Sequence, residues 1–353
     1  GGRCNVTHHC FSPSALSKHY PRGGKQLKKA LGTFQASNTV AWFESRGVAL
    51  KTESDGRMFP TTDSSQTIID CLLHEADQHG VDIRLQSPVR ELTPLASGDF
   101  SLNGERFDRV IVATGGSPKR EGLAWLEALG HAVENPVPSL FTFNMPGSDI
   151  TALMGVVVPN ALVRIQGTKL TQQGPVLVTH WGMSGPAVLK LSAWGARELA
   201  ERGYKFSVQV NWIGIANEAE VNAAINDAIP DIRKKKVANA CPFELPKKFW
   251  AFLLARAEVP ADAVWLDLGK KAKNKLVNTL LNDVYEVRGK TTFKEEFVTC
   301  GGIALGEVDF NTMQSRVLTG LYFAGEVLDV DGVTGGFNFQ AAWTTGFVAG
   351  SLK

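Results

Sequence analysis

Hydrophobic positions along the chain fall into three regimes, and the switches between them predict the architecture. From residue 24 to 47 and from 64 to 80, apolar residues recur at helical spacing. A short apolar run at Val81–Leu85 predicts a strand, and the stretch from Val89 through Asn103-Gly104 predicts a hairpin leading into the β-branched run Val110-Ile111-Val112. Between Ser139 and Trp181 the period drops to two. Ser139–Phe143, Ala161–Ile165 and Val176–Thr179, separated by Gly and Pro, predict a small antiparallel β unit. A helix is expected from Ser184, with Pro186 in its first turn, then a strand at Lys205–Trp212. Helical periodicity returns at Glu218–Ile229, Lys247–Ala257 and Lys270–Val284. Beyond Cys300-Gly301-Gly302 the chain returns to its first pattern: a strand over Leu318–Ala324, a break at Gly325-Glu326, and a helix opening near Asn338.

Two strand ends carry chemistry. The run from Phe107 closes in Ala113-Thr114-Gly115-Gly116, the way a parallel strand ends when a ligand must approach the main chain closely. The C-terminal stretch reads as strand, glycine-rich turn and helix, and a helix N-terminus offers unpaired N–H groups and partial positive charge to a phosphate or an electron-rich carbonyl. Because both ends must face one ligand, the strands ending at Thr114 and near Ala324 are expected in one sheet.

Composition narrows the class. With 353 residues, 44% of them hydrophobic, the chain can bury cores for two or three domains. No apolar run approaches the ~18 residues a membrane span needs and no signal-peptide pattern is visible, so the reading is a cytoplasmic protein without a membrane partner. A formal net charge of +2 implies neither nucleic acid nor an anionic membrane. Arg233-Lys234-Lys235-Lys236 and the lysines of Lys270–Lys275 read as solvated helix faces rather than a nucleic-acid surface. Five scattered cysteines without Cys-x-x-Cys spacing argue against a disulfide framework or a metal site.

Five ordered strings, Gly1-Gly2-Arg3-Cys4-Asn5-Val6-Thr7, Gly56-Arg57-Met58-Phe59-Pro60, Ala113–Gly116, Thr179–Pro186 and Ala324–Gln340, together resemble the HI0933-like family of FAD-dependent flavoproteins, and the resemblance covers nearly the whole chain. It implies an α/β fold: a split Rossmann-like FAD-binding domain with an inserted β-rich unit and a helical module. The expected division is 1–137 for the first part of the FAD domain, 138–300 for the insertion (β-rich at 138–213 and 285–300, helical at 214–284) and 301–353 for the C-terminal part. In the family a Gly-x-Gly-x-x-Gly turn and helix stand upstream of the Gly-Gly-Arg-Cys-Asn motif. This chain has no such turn and begins inside a motif, so it is read as lacking some tens of residues that would hold the pyrophosphate and the adenosine ribose.

The resemblance implies a flavin site. Gly2, Arg3, Cys4 and Asn5 are expected beside the ring, Arg3 and Asn5 as donors, with Cys4 not favoured as a redox thiol because no partner cysteine is placed for it. Val89 matches the position that pairs with adenine, and Ala113, Thr114 and Gly115 the strand-end cradle. Gly325 and Glu326 are expected at the ribityl chain or phosphate, Asp331 beside them, and Gly335, Gly336, Asn338, Phe339 and Gln340 under the pyrimidine carbonyl. His180 is the one histidine considered for proton transfer, a structural role at a strand end being the favoured reading. The activity implied is an FAD-dependent oxidoreductase passing a hydride between a nicotinamide or small organic substrate and flavin N5, with NAD(P)H a candidate donor. A non-catalytic flavin-binding or interaction protein and a flavin-dependent RNA modifier are the alternatives. Substrate and oligomeric state stay open.

Overall fold

In the computed structural model, which describes residues 2–291 and 298–351, the chain divides into two compact units. One holds residues up to Pro138 together with those from Val298 onward, and the other begins at Ser139. Gly1 of the opening motif and residues 292–297 of the stretch 285–300 lie outside the described residues.

The first unit is mixed α/β. Val110–Val112 and Leu321–Phe323 pair in parallel, as their shared glycine endings predict, with Leu321 opposite Val110 and Phe323 opposite Val112. Val308–Asp309 and Gln314–Ser315 extend this sheet to four strands. Thr7–His8, Arg57–Pro60 and Leu50–Thr52 form an antiparallel sheet, and Val298–Ile303 pairs with Val133–Ser139. Asn103 and Gly104, both at positive φ, turn the hairpin between Phe100–Leu102 and Glu105–Phe107.

Helices follow their local chemistry. Ser64 caps Ser65–Gln78, accepting from the Gln66 N–H. The expected single helix from 24 to 47 is two, Gly24–Thr33 and Ala36–Glu44, because Phe34 is extended and the Asn38 side chain accepts the Gln35 N–H to start a new helix. The strand expected at Val81–Leu85 does not form. That segment is irregular, and Val81, Ile83 and Leu85 are exposed. The C-terminal helix, Phe337–Gly350, buries Phe337, Gln340, Ala341, Thr344, Thr345, Val348 and Ala349.

The second unit is built on a seven-stranded antiparallel sheet in the order Asp283–Arg288, Lys205–Asn211, Val157–Ile165, Thr171–Thr179, Gly182–Ser184, Thr142–Asn144, Lys290–Thr291. Along Asp283–Arg288 burial alternates residue by residue, as a half-buried strand requires. Ser184 belongs to a strand rather than capping the next helix. Gly185 is the cap and Pro186 the first helical residue of Pro186–Trp194, because a glycine at φ +96 can make the turn with Leu177 and Pro175 main chain pressed against it. Helices Glu218–Ile232, Lys247–Arg256 and Lys270–Asn282 pack Val221, Ile225, Phe249, Trp250, Leu276 and Leu280 into this core.

One buried carboxylate ties the helical module to the sheet. Asp283 accepts from Trp212 Nε1 at 2.9 Å, from Tyr285 Oη at 2.5 Å and from Arg256 Nη2 at 2.7 Å. Burial, with the Asp283 charge adding to it, pushes the Tyr285 hydroxyl far above its ordinary value, so it stays a donor. Asp283→Ala strands three donors at once and should cost about 3 to 5 kcal/mol, read by urea unfolding followed through tryptophan fluorescence. A loss under about 1 kcal/mol would show that water replaces the carboxylate.

Candidate functional site

The site is built where the parallel strand pair ends. After Val112 the chain leaves the sheet with Ala113 and Thr114 exposed. Gly115 adopts φ +76, and a methyl group on it would meet no atom within 4 Å, so its main chain faces open space. Gly116 is the opposite case. A methyl there would lie 2.4 Å from Thr299 Oγ1 and 3.0 Å from Glu326 Oε1.

Glu326 sits in the turn Gly325–Val327, just past Leu321–Phe323. Its Oε1 accepts the Thr299 N–H at 2.7 Å, and the Gly116 N–H also bonds the carboxylate, so one side chain clamps three separate chain segments. Burial raises this carboxyl above its ordinary value; the Thr299 N–H opposes the rise, the Asp331 charge adds to it, and the Gly116 N–H opposes it. Thr299 Oγ1 is buried with no hydrogen-bond partner among the described residues. Gly325, at φ +76, donates its N–H to Thr345 Oγ1 at 2.9 Å, which fixes the turn to the middle of the C-terminal helix.

The second part is the opening of that helix. Gly336 caps it at φ +90, with room for no side chain: a methyl would lie 2.6 Å from the Thr7 carbonyl oxygen. The Asn5 amide completes the joint, its oxygen accepting the Gly336 N–H at 2.9 Å and its nitrogen donating to the Thr7 carbonyl at 3.1 Å. The N–H groups of Phe337, Asn338 and Phe339 have no intrahelical acceptor, as in any first turn. Asn338 pins the glycine turn, accepting the Gly332 N–H at 2.7 Å and donating to its carbonyl at 3.0 Å. The Gly335 carbonyl lies 3.0 Å from His8 Nδ1, and the Phe337 ring stacks on both His8 and His19, whose own centroids are 6.1 Å apart.

Several residues expected to touch the ring have partners within the protein. Arg3 pairs with Glu53 and Asp63 and lies over the Phe59 ring. Asp331, fully buried, forms a two-pronged ion pair with Arg22. Gln340 is also fully buried: its Oε1 accepts from Thr7 Oγ1 at 2.6 Å and Thr39 Oγ1 at 2.9 Å, its Nε2 donates to Thr344 Oγ1 at 3.0 Å, and its N–H goes to the Gly336 carbonyl. Cys4 packs against the cluster of Val6, Phe43, Val48 and Ile68, and burial raises its thiol pKa. The Gly2 carbonyl accepts the Ser65 N–H. Phe339, half exposed, stacks on Trp343.

Val89 is exposed in an irregular segment tied to the hairpin by Asn103, which bonds Pro88 and Arg90, and it shares no hydrogen bond with the other candidates. His180 lies in the second unit, exposed on the turn between Thr171–Thr179 and Gly182–Ser184, its ring edge-on to Trp181 at 4.2 Å. Thr299, Arg22, Thr7 and Thr39 escaped sequence reasoning. The only local signal for Thr299 is its place before Cys300-Gly301-Gly302, where both glycines are at positive φ. No group of three or more His, Cys, Asp or Glu among the described residues could hold a metal ion, and no described helix is long and apolar enough to cross a membrane.

A parallel strand pair ending in glycines, with its turn fixed to the C-terminal helix, is the arrangement of a Rossmann-type domain, and the model of the HI0933-like protein Rossmann domain matches residues 1–352. The chain belongs to the HI0933-like family. It is 29% identical over 360 residues to the ribosomal RNA dihydrouridine synthase of Escherichia coli strain K12, covering 98% of this chain and 85% of that protein. It is 28% identical over 368 residues to the 3-dehydro-bile acid delta(4,6)-reductase of Clostridium scindens, covering 99% of this chain and 87% of that one. Similarity to the Haemophilus influenzae ribosomal RNA dihydrouridine synthase is 28% over 363 residues, 98% and 86% of the two chains.

Two outcomes test this arrangement. Gln340→Leu keeps the volume but leaves the Thr7 and Thr39 hydroxyls without their acceptor, and should cost about 2 to 4 kcal/mol in urea unfolding. A loss below about 0.5 kcal/mol would mean those hydroxyls find other acceptors.

The second concerns pH. An acid whose folded pKa exceeds its unfolded one contributes stability that is full below the unfolded value, near 4.5, and is lost as pH rises through the folded value. The stability of the wild type relative to Glu326→Gln should therefore fall as pH rises above the unfolded value near 4.5. A relative stability that rises with pH would show that the two N–H bonds outweigh burial.

Proposed function

We propose that this protein is a flavin-dependent oxidoreductase that saturates a carbon–carbon double bond conjugated to a carbonyl group. One observation carries the reading: relatives that align over nearly the whole chain bear names describing unlike substrates but one bond change. Making dihydrouridine saturates the pyrimidine C5–C6 bond, which is conjugated to a ring carbonyl. A delta(4,6)-reductase of a 3-dehydro acid works on double bonds conjugated to the 3-oxo group. Belonging to the HI0933-like family supports the cofactor assignment.

The residues present fit a flavin nucleotide. Gly115 leaves a main-chain cradle that any side chain would narrow, and Thr299 Oγ1 is a buried hydroxyl without a partner among the described residues, suited to a ligand hydroxyl. Ala113–Gly116, Thr299 and the Glu326 turn are the groups assigned to hold it along the strand ends. The first-turn N–H groups of Phe337, Asn338 and Phe339 are assigned to an electron-rich ring carbonyl, where the helix N-terminus favours negative charge. When bound, a flavin supplies two-electron chemistry between a reduced donor such as NAD(P)H and the substrate. Gln340 and Asn5 act as positioning residues, since they hold the helix opening in place rather than reaching a ligand. No role in proton transfer is assigned to His180.

The test uses two glycines with the same φ. Gly115 and Gly147 both lie at φ +76 with open space around the Cα, so alanine strains each equally, yet only Gly115 belongs to the proposed cradle. Gly115→Ala should lower FAD retention at least tenfold by absorbance after reconstitution and gel filtration, while Gly147→Ala should match the wild type. Anaerobic reduction by NADH or NADPH, followed by addition of an α,β-unsaturated ketone or a uridine-containing RNA, tests the reaction. Equal FAD retention in both variants, or a reduced protein that no conjugated acceptor reoxidises, would overturn the proposal.

A further inference from the structure

Within the second unit, the topology brings the two basic runs to one end of one helix. The segment after Ile232 lies against the one before Lys270: the Leu266 N–H donates to the Arg233 carbonyl at 2.9 Å, the Trp265 N–H donates to the Lys235 carbonyl at 3.2 Å, and Lys236 bridges Val264. Arg233–Lys236 are thereby strapped beside the residues that lead into Lys270, Lys271 and Lys273. Arg233–Lys236, Lys270 and Lys271 are exposed, and none of these six cations makes an ion pair among the described residues. Asp231 and Asp267 are the carboxylates in the same stretches, and Glu258, paired with Lys275, faces Lys271, which together still leave the end positive.

Helix stability does not explain the second run. Cations at the end of Glu218–Ile232 suit its dipole, but those opening Lys270–Asn282 oppose the dipole there, and that first turn has no acidic residue.

A polar groove follows the same helix. Lys270, Asn274, Asn278 and Asn282 are spaced four apart and so share one face. Gln209 Nε2 donates to Asn282 Oδ1 at 2.6 Å, and Asn282 Nδ2 donates to Asn278 Oδ1 at 3.1 Å, an amide chain from sheet to helix. These amides line a cavity of about 310 Å³ together with Arg164, which makes no ion pair among the described residues, and Glu218. Arg, Asn, Gln and Glu are the side chains whose donors and acceptors match base edges.

We propose that this face of the second unit is a track for single-stranded RNA, its cationic end holding phosphates and its amide-lined cavity accepting a base. It rests on the reductase reading only in making uridine within RNA a candidate substrate; the binding itself needs no flavin. An anionic membrane would use the lysines but leave the hydrogen-bonding cavity without a role.

The test measures fluorescence anisotropy of a labelled, mixed-sequence single-stranded RNA with the full chain over a range of KCl concentrations. Replacing Lys234, Lys235, Lys270 and Lys271 by Ala together should weaken binding at least tenfold and flatten the slope of log affinity against log salt by about 0.7 for each phosphate no longer neutralised. A charge-matched control, Lys18, Lys25, Lys28 and Lys29 to Ala in the first unit, should retain affinity. Asn278→Leu should leave the salt slope alone and change the preference between poly(U) and poly(A). FAD retention, measured on every variant, separates failure of this proposal from failure of the flavin site. No RNA binding, equal weakening by both sets of four, or binding of phosphatidylserine vesicles in place of RNA would overturn it.

Discussion

The buried amide of Gln340 is the constraint on which the first unit depends. Its single oxygen takes hydroxyl protons from Thr7 and Thr39, residues that lie some three hundred positions earlier, and its nitrogen feeds Thr344, whose own hydroxyl passes on to the Phe34 carbonyl. Every polar group of that relay is satisfied away from water, which makes it rigid when complete and costly when broken. Its consequence is register. With Gln340 fixed, Gly336 must meet the Asn5–Thr7 segment with no space for a side chain, and the helix can open in one place only.

Register of the helix also sets the strand-end cradle, because Thr345, five residues beyond Gln340, receives the Gly325 N–H. Gly325 precedes Glu326, and Glu326 holds Gly116 and Thr299. A buried ion pair of Arg22 with Asp331 closes the loop between the turn and the helix. Such a pair contributes little by being buried, yet removing either partner leaves a charge the interior cannot solvate, so it fixes geometry more than it adds stability.

Much of this fold was legible because its signals are local. The helical period from Ser64, Asn103-Gly104 between short strands and two apolar runs ending in glycine each act over a few residues, and the helix, the hairpin and the parallel pair follow. Local reading failed where a distant partner decides. Val81–Leu85 carries an apolar strand pattern but no described strand pairs with it, and Ser184 reads as a cap until the sheet claims it. The site divides the same way. Gly115 and Gly336 were legible because positive φ needs glycine, whereas the side chains of Arg3, Asn5, Asp331 and Gln340 take partners 50 to 333 residues away or across the glycine turn, which no spacing along the chain encodes.

That division has a chemical meaning. With Arg3, Asn5, Asp331 and Gln340 engaged in holding the architecture, the groups that the proposed reading assigns to a ligand are largely main-chain: the open edge at Gly115 and the N–H groups that begin the C-terminal helix. Main-chain donors recognise shape and charge without specifying a side chain, and a helix N-terminus stabilises negative charge whatever molecule brings the electrons. A cofactor held this way is insulated from changes in the residues that select a substrate. Selectivity then falls to surfaces that do not build the cradle, and those surfaces can change without dismantling the Gln340 relay.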